Sequence, residues 1–218
     1  MILSVLVADF AVRYVRREQL EVIVMSKNIV LCGVGGQGTI LASKLISGAA
    51  MNKGIPVKSA ETIGMAQRGG SVFSHLRLGD DVDCPMIATG SADIIIGFEP
   101  GETVRMLPYL KKGGQVIVSS RPVMPVTAAL AGSNYNGSEM LDYIRNKVEK
   151  VIVIDTEKAC KELGSAKIVN LLLLGAAVNS GALGLDDEDI RKVIRTKIPE
   201  KFHELNFKAL EYAKKCSH

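Results

Sequence analysis

Asn28-Ile29-Val30-Leu31-Cys32-Gly33-Val34-Gly35-Gly36-Gln37-Gly38-Thr39 is the stretch on which the fold turns. Asn28–Cys32 is a short, almost wholly apolar run, the pattern of a parallel strand covered on both faces. It stops at a cluster of glycines. From Thr39 to Met51 the apolar residues Ile40, Leu41, Leu45, Ile46 and Ala49 recur at the spacing of one helix face. Strand, glycine turn and helix in that order give a G-x-G-x-x-G match its meaning. Glycines at 33, 35 and 38 allow a tight turn, close backbone approach by a ligand, and close packing of helix on strand. The helix start behind them offers unpaired N–H groups and a partial positive charge, which suits an anion.

The alternation continues along the chain. Gly54 ends the first helix, and Pro56–Ala60 reads as a second strand. Ser71–Leu78 alternates apolar and polar residues, a half-solvated strand before the Gly79-Asp80-Asp81 turn. Ile94–Phe98 is another apolar run, closed by Glu99-Pro100. Thr103–Leu110 reads as a helix stopped by Gly113-Gly114, and Gln115–Ser119 as a buried strand. Prolines, glycines and asparagines make a loop of Arg121 to Gly137. A helix over Glu139–Lys150 and a strand over Val151–Asp155 follow. Beyond them Ser165 caps an apolar helix from Ala166 to Leu183, Asp186 caps Asp187–Lys197, and Pro199 opens a helix reaching Lys215. Short strand–helix steps imply a parallel sheet with helices on both faces. The fold expected is α/β, doubly wound and mostly parallel (Rossmann-like), with a helical C-terminal third.

Composition agrees with one domain of the larger sort: 218 residues, 47% hydrophobic and 23% charged. It excludes a disordered tail, a collagen-like fibre and a disulfide-dense secreted module. Basic residues number 27 against 23 acidic, and no block of five like charges occurs, so nothing points to nucleic acid. Cys32, Cys84, Cys160 and Cys216 are scattered, with no C-x-x-C and no zinc or cluster spacing. They imply a reduced, cytoplasmic protein with small buried thiols and no metal held on its own ligands. The apolar start, Met1–Ala8, is broken by Asp9, Arg13, Arg16 and Arg17. It is too short for the roughly 20 residues that span a bilayer, and its charges follow the apolar run instead of preceding it as in a secretory signal. Met25 directly precedes the first strand. Residues 1–24 are therefore expected to be an extension from an over-called start, and residues 25–218 a single domain; mass spectrometry finding Met1 at the native N-terminus would defeat the former.

A second loop bears on chemistry: Glu61-Thr62-Ile63-Gly64-Met65-Ala66-Gln67-Arg68-Gly69-Gly70-Ser71. Glu61 lies near the end of the second strand, where a dinucleotide-binding fold places the acid for a ribose hydroxyl. With the glycine turn it suggests NAD or FAD. The other reading is that the glycines only pack strand against helix and leave a surface for a neighbouring subunit. Gln37, a polar amide at a position usually small or apolar, weakens the nucleotide reading, as does the polar loop that Glu61 opens. Arg68 before two glycines is a cationic fork for a carboxylate or phosphate, on a ligand or on a partner chain. Pairing with Glu61 in solvent is the alternative, and the residues alone do not choose.

Four segments together are more specific. G-x-G-G-Q-G at 33–38, E-T-x-G-x-x-Q-R-G-G-x-V at 61–72, F-E-P-x-E at 98–102 and N-x-x-x-L-G-A at 170–176 resemble, in order and spacing, the gamma-type subunits of the 2-oxoacid:ferredoxin oxidoreductases. The pattern is most similar to the small (beta) subunits of the indolepyruvate type and covers about residues 27–215. The resemblance implies a complex that oxidatively decarboxylates a 2-oxoacid with coenzyme A, giving an acyl-CoA, carbon dioxide and reduced ferredoxin. It implies that thiamine diphosphate, magnesium and the iron–sulfur clusters sit on a large catalytic (alpha) subunit, since this chain lacks the G-D-G…N diphosphate motif. This chain would carry no catalytic residue, cofactor or metal, and would be inactive alone. By carry-over, Gly35, Gly36, Gln37 and Gly38 form a sheet-edge loop facing the partner or the coenzyme A path. Glu61, Gln67, Arg68, Gly69 and Gly70 form the adjacent loop near the assembled active site. Gamma subunits of pyruvate, 2-oxoglutarate or 2-oxoisovalerate enzymes are the alternative within the class. A stand-alone NAD(P)- or FAD-binding oxidoreductase is the alternative outside it.

Other residues carry less. His75 sits mid-strand with no Ser, Cys or Asp constellation and reads as facing solvent or a partner rather than as a general base. Asn170 and Asn179 fall on opposite faces of one helix and read as separate packing or interface hydrogen bonds. Glu99 ends a strand, where open α/β sheets place ligands, and either assists the site or caps the helix after Pro100, the reading its first-turn position favours. The helix from Ala166 is apolar nearly all round, a core helix and not a membrane element.

Overall fold

The computed structural model describes residues 26–63, 69–80, 83–124 and 135–216. The expected N-terminal extension, and Gln67 and Arg68, lie outside the described residues. The elements run β1 (Lys27–Val34), α1 (Thr39–Asn52), β2 (Val57–Ile63), β3 (Ser71–Leu78), β4 (Ala92–Gly97), α2 (Pro100–Met106), β5 (Leu110–Ser119), α3 (Ser138–Lys147), β6 (Lys150–Ile154), α4 (Thr156–Glu162), α5 (Val169–Asn179), α6 (Asp187–Lys197) and α7 (His203–Cys216).

The strands form one sheet in the order β2-β3-β1-β4-β5-β6. β1, β4, β5 and β6 are mutually parallel, each joined to the next by a crossover. β3 runs antiparallel to both β1 and β2, and the seven residues between Ile63 and Ser71 are too few for the crossover that parallel pairing with β2 needs. Alternation along β1 sends side chains into two cores. Ile29 and Leu31 meet α1, α5, α6 and α7, while Val30 and Cys32 meet Met106 of α2 and Leu141 and Ile144 of α3. All four β1 residues are fully buried. The fold is the α/β, mostly parallel, two-faced arrangement expected, with α4–α7 supplying the helical last third.

Several local expectations change. β3 is not half-solvated: it lies inside the sheet, and its second face is covered too. His75 is accordingly buried, not solvent-facing, at 1% exposure. Its Nδ1 accepts the Ile87 N–H at 2.9 Å, and its ring meets the edges of Phe73 and Tyr109. Gly113 and Gly114 do not stop a helix. Pro108, which has no N–H to give, sits in the tight turn Leu107–Tyr109 that ends α2. Gly113, with φ +74°, instead lets the start of β5 bulge away from β4. α5 ends at Asn179, short of Leu183, because Gly181 turns left-handed at φ +73°. Ser165, Asp186 and Glu99 all cap as expected, Asp186 in a reciprocal pair with Asp189. Of the cysteines expected to be buried, Cys32 is; Cys84 is exposed, and Cys160 and Cys216 are half-buried.

Burial holds the His75 imidazole below the ordinary histidine value of 6.5. The unfolded chain then binds a proton that the folded chain resists, so stability is complete above that value and falls as pH drops below it. Urea unfolding is expected to show a lower midpoint near about pH 5.5 than near about pH 7.5, with the difference reduced in His75→Phe. Equal pH dependence in the two proteins would show that His75 contributes nothing to it.

Candidate functional site

The glycine turn lies at the carboxyl end of β1, an interior strand of the sheet. After β1 the chain builds β2 and β3 to one side and β4 to β6 to the other. The turn therefore sits at the crevice where strand order reverses, the place where open α/β sheets bind ligands. Gln37 folds back into this crevice. Its Oε1 accepts the Val34 N–H at 2.7 Å, and its Nε2 donates to the Phe98 carbonyl at 3.0 Å. Both halves of the amide brace the end of β1 to the end of β4. Gly33 is required beneath it, since a Cβ there would stand 2.7 Å from both Gln37 Oε1 and Phe98 Cβ. Gly38, at φ +87°, starts α1 and lies flat against the Asn170 side chain.

The two glycine loops meet as expected: the Gly35 N–H donates to the Gly70 carbonyl at 2.9 Å. Between them and the ends of β5 and β6 opens a cleft of about 590 Å³. One wall is Val34 to Gly38, with Leu41 and Gly69; the other is Ser119, Arg121 and Val123, with Thr156, Lys167 and Asn170 closing it. Arg121 and Lys167 are exposed cations, and no carboxylate lies among the described lining residues. Ser119 Oγ and Thr156 Oγ1 share a hydrogen bond of 2.6 Å at the floor. Asn170 is 3% exposed, and its Oδ1 has no hydrogen-bond partner among the described residues. Asn179 is exposed on the other side of α5, which separates the two asparagines as their spacing implies. Helix-start N–H groups, two cations and hydroxyls, with no carboxylate among the described lining residues and Glu157 beside Arg121 only outside the cleft, make a cleft suited to an extended anionic ligand.

Gly35, Gly36, Gln37, Gly38 and Gly69 line the cleft, and Gly70 supports it through Gly35. Glu61 does not. It lies exposed on β2, opposite Ser74 of β3, and β3 separates it from β1 by two strand spacings, roughly 10 Å. In a dinucleotide-binding fold the second strand adjoins the first; here the antiparallel β3 occupies that place, and the ribose reading loses its acid. Ser119, Arg121, Thr156 and Lys167 were not singled out from sequence. Ser119, Arg121 and Thr156 lie at or just after the ends of parallel strands, a signal that becomes useful once sheet order is known. Lys167 carries no such mark.

Among the described residues no group of three His, Cys, Asp or Glu side chains is placed to hold a metal ion. No helix among them is long and apolar enough to cross a membrane.

With this sheet and cleft, the chain belongs to the pyruvate ferredoxin/flavodoxin oxidoreductase family, whose sequence pattern it matches over residues 28–216. It is 38% identical over 195 residues to the indolepyruvate oxidoreductase subunit IorB of Thermococcus kodakarensis, covering 87% of this chain and 95% of that one. To the common gamma subunit of the pyruvate/ketoisovalerate oxidoreductases of the same organism it is 26% identical, over 83% of this chain and 91% of the other. The fold is shared with the gamma subunit of a keto/oxoacid ferredoxin oxidoreductase from Geobacter sulfurreducens, at a TM-score of 0.64 and 22% identity over 88% of this chain and 98% of that one.

Proposed function

We propose that the chain is the small subunit of a cytoplasmic 2-oxoacid:ferredoxin oxidoreductase acting on an aryl-pyruvate such as indolepyruvate. The observation that carries the substrate class is the identity of 38% with the indolepyruvate subunit against 26% with the pyruvate/ketoisovalerate gamma subunit. In this reaction the bond between the carboxylate and the keto carbon breaks and carbon dioxide leaves. The acyl group passes to the coenzyme A sulfur as the thiol proton is released, and two electrons pass to ferredoxin, which iron–sulfur centres on the partner would carry. Thiamine diphosphate, magnesium and the clusters belong to the large partner subunit. The scattered cysteines of this chain, one buried under α2 and one exposed beyond β3, do not suit a cluster.

What this chain does is bind and position. The cleft at the end of β1 receives the phosphate-bearing part of coenzyme A. The N–H groups of the first turn of α1, with Arg121 and Lys167, take the negative charge, and Gln37 holds the glycine turn in shape. Ferredoxin meets the complex through the large partner subunit. A related 2-oxoglutarate:ferredoxin oxidoreductase from Magnetococcus marinus, similar in fold at a TM-score of 0.67 over 31% of its length, was solved with coenzyme A bound.

Co-expression with the large thiamine-dependent subunit tests the assignment. The two chains are expected to co-purify, and the complex to reduce ferredoxin with indolepyruvate in preference to pyruvate, 2-oxoglutarate and 2-oxoisovalerate. Failure to associate, or preference for one of the small 2-oxoacids, would overturn it.

A further inference from the structure

Glu99 anchors a buried polar cluster that reaches beyond its role as a helix cap. Glu99, at the carboxyl end of β4, is 3% exposed and forms no ion pair among the described residues. Its Oε2 accepts the Glu102 N–H at 2.8 Å, the cap of α2. Its Oε1 serves a different purpose: it accepts the Tyr135 hydroxyl at 2.5 Å and the Val123 N–H at 3.4 Å. Val123 and Tyr135 stand at the outgoing and returning ends of the connection from β5 to α3. One carboxylate oxygen thus clasps both ends.

The surroundings are built for this clasp. The Gly101 N–H donates to the Tyr135 hydroxyl at 3.0 Å, and a Cβ on Gly101 would stand 2.9 Å from that oxygen. Just outside the clasp, Gly137 packs against Pro122 and Pro100, where a Cβ would lie 3.1 and 3.3 Å from their carbons. Burial, with the Glu99 carboxylate beside it, pushes the Tyr135 pKa up, so the hydroxyl stays a donor across the working pH range. A cap alone needs only Oε2. Held through Val123 and Pro122 is the far wall of the cleft, where Val123 and Arg121 face the glycine turn.

The geometry points to Tyr135 as a positioning residue: through the Glu99 carboxylate it fixes the Arg121–Val123 wall at the separation from the glycine turn that the ligand requires. Its effect on the KM for coenzyme A rests on the proposal that coenzyme A enters this cleft; its effect on the wall does not.

Tyr135→Phe keeps the ring and removes only the hydroxyl, and Glu99→Gln keeps an acceptor on a neutral side chain. Hydrogen exchange on the assembled complex is expected to show the Val123 amide exchanging about tenfold faster in Tyr135→Phe, with β1 and β4 amides unchanged. The KM for coenzyme A is expected to rise about three- to tenfold with kcat within about twofold, and Glu99→Gln to lie between wild type and Tyr135→Phe. Unchanged exchange at Val123 overturns the clasp whatever the kinetics show. Faster exchange with unchanged KM, while Arg121→Ala raises KM, overturns the positioning role. If neither Tyr135→Phe nor Arg121→Ala moves KM, the coenzyme A reading has failed and the positioning role falls with it, whereas faster Val123 exchange would still establish the clasp.

Discussion

Arg121→Ala in the assembled enzyme is expected to raise the KM for coenzyme A by roughly 10- to 100-fold, since a charge-assisted hydrogen bond contributes about 1.5–3 kcal/mol. Arg121 follows β5 directly, faces the glycine turn across the cleft, and meets no carboxylate among the described lining residues. Glu157 of α4, outside the cleft, shares its field, and the guanidinium keeps its fork for a ligand. Lys167→Ala is expected to act in the same direction and more weakly, because an ammonium on a flexible stem makes no paired contact. Arg121→Lys restores charge but not the fork and falls between. Added salt narrows the gap between wild type and Arg121→Ala, as screening acts only on the protein that has the charge. Steady-state kinetics with varied coenzyme A check this. A KM unmoved by both substitutions would remove coenzyme A from the cleft.

Gly33→Ala is expected to cost about 2–3 kcal/mol of stability, the upper part of the range for overpacking a filled core. The new Cβ meets Gln37 Oε1 and Phe98 Cβ, each at 2.7 Å. Gln37 is able to rotate away, but it then surrenders its bonds to the Val34 N–H and the Phe98 carbonyl. Phe98, fully buried, has no such freedom. The double variant Gly33→Ala/Gln37→Ala is expected to lose nearly as much as the single one, because relieving the amide leaves the ring contact in place. Urea unfolding of the small subunit measures both, and a loss below about 0.5 kcal/mol for Gly33→Ala would show that the crevice yields more than the packing implies.

The parallel core was readable because it obeys local rules. Asn28–Cys32, Ile94–Phe98 and Val151–Asp155 are apolar without alternation, as two-faced burial requires. Asp186 marked the start of α6 because a capping side chain acts within its own turn. What sequence hid was long-range. Nothing in Ser71–Leu78 says that it inserts between the first two strands, so the burial of His75 and the removal of Glu61 from β1 were both unforeseen. The same gap concealed the cleft. Its glycines announce themselves through their spacing, whereas Arg121, Thr156 and Lys167 come from three separate segments that only the sheet order unites. Gln37 read as an oddity for a nucleotide turn, and its use as a brace depends on a carbonyl of Phe98 in another strand.

The most direct measurement is 2-oxoacid-dependent ferredoxin reduction by each purified subunit and by the two combined, with indolepyruvate and coenzyme A supplied. This small subunit alone is expected to give no reduction and to bind no thiamine diphosphate, and mixing it with the large subunit to produce full turnover. Reduction by the small subunit on its own would contradict the account.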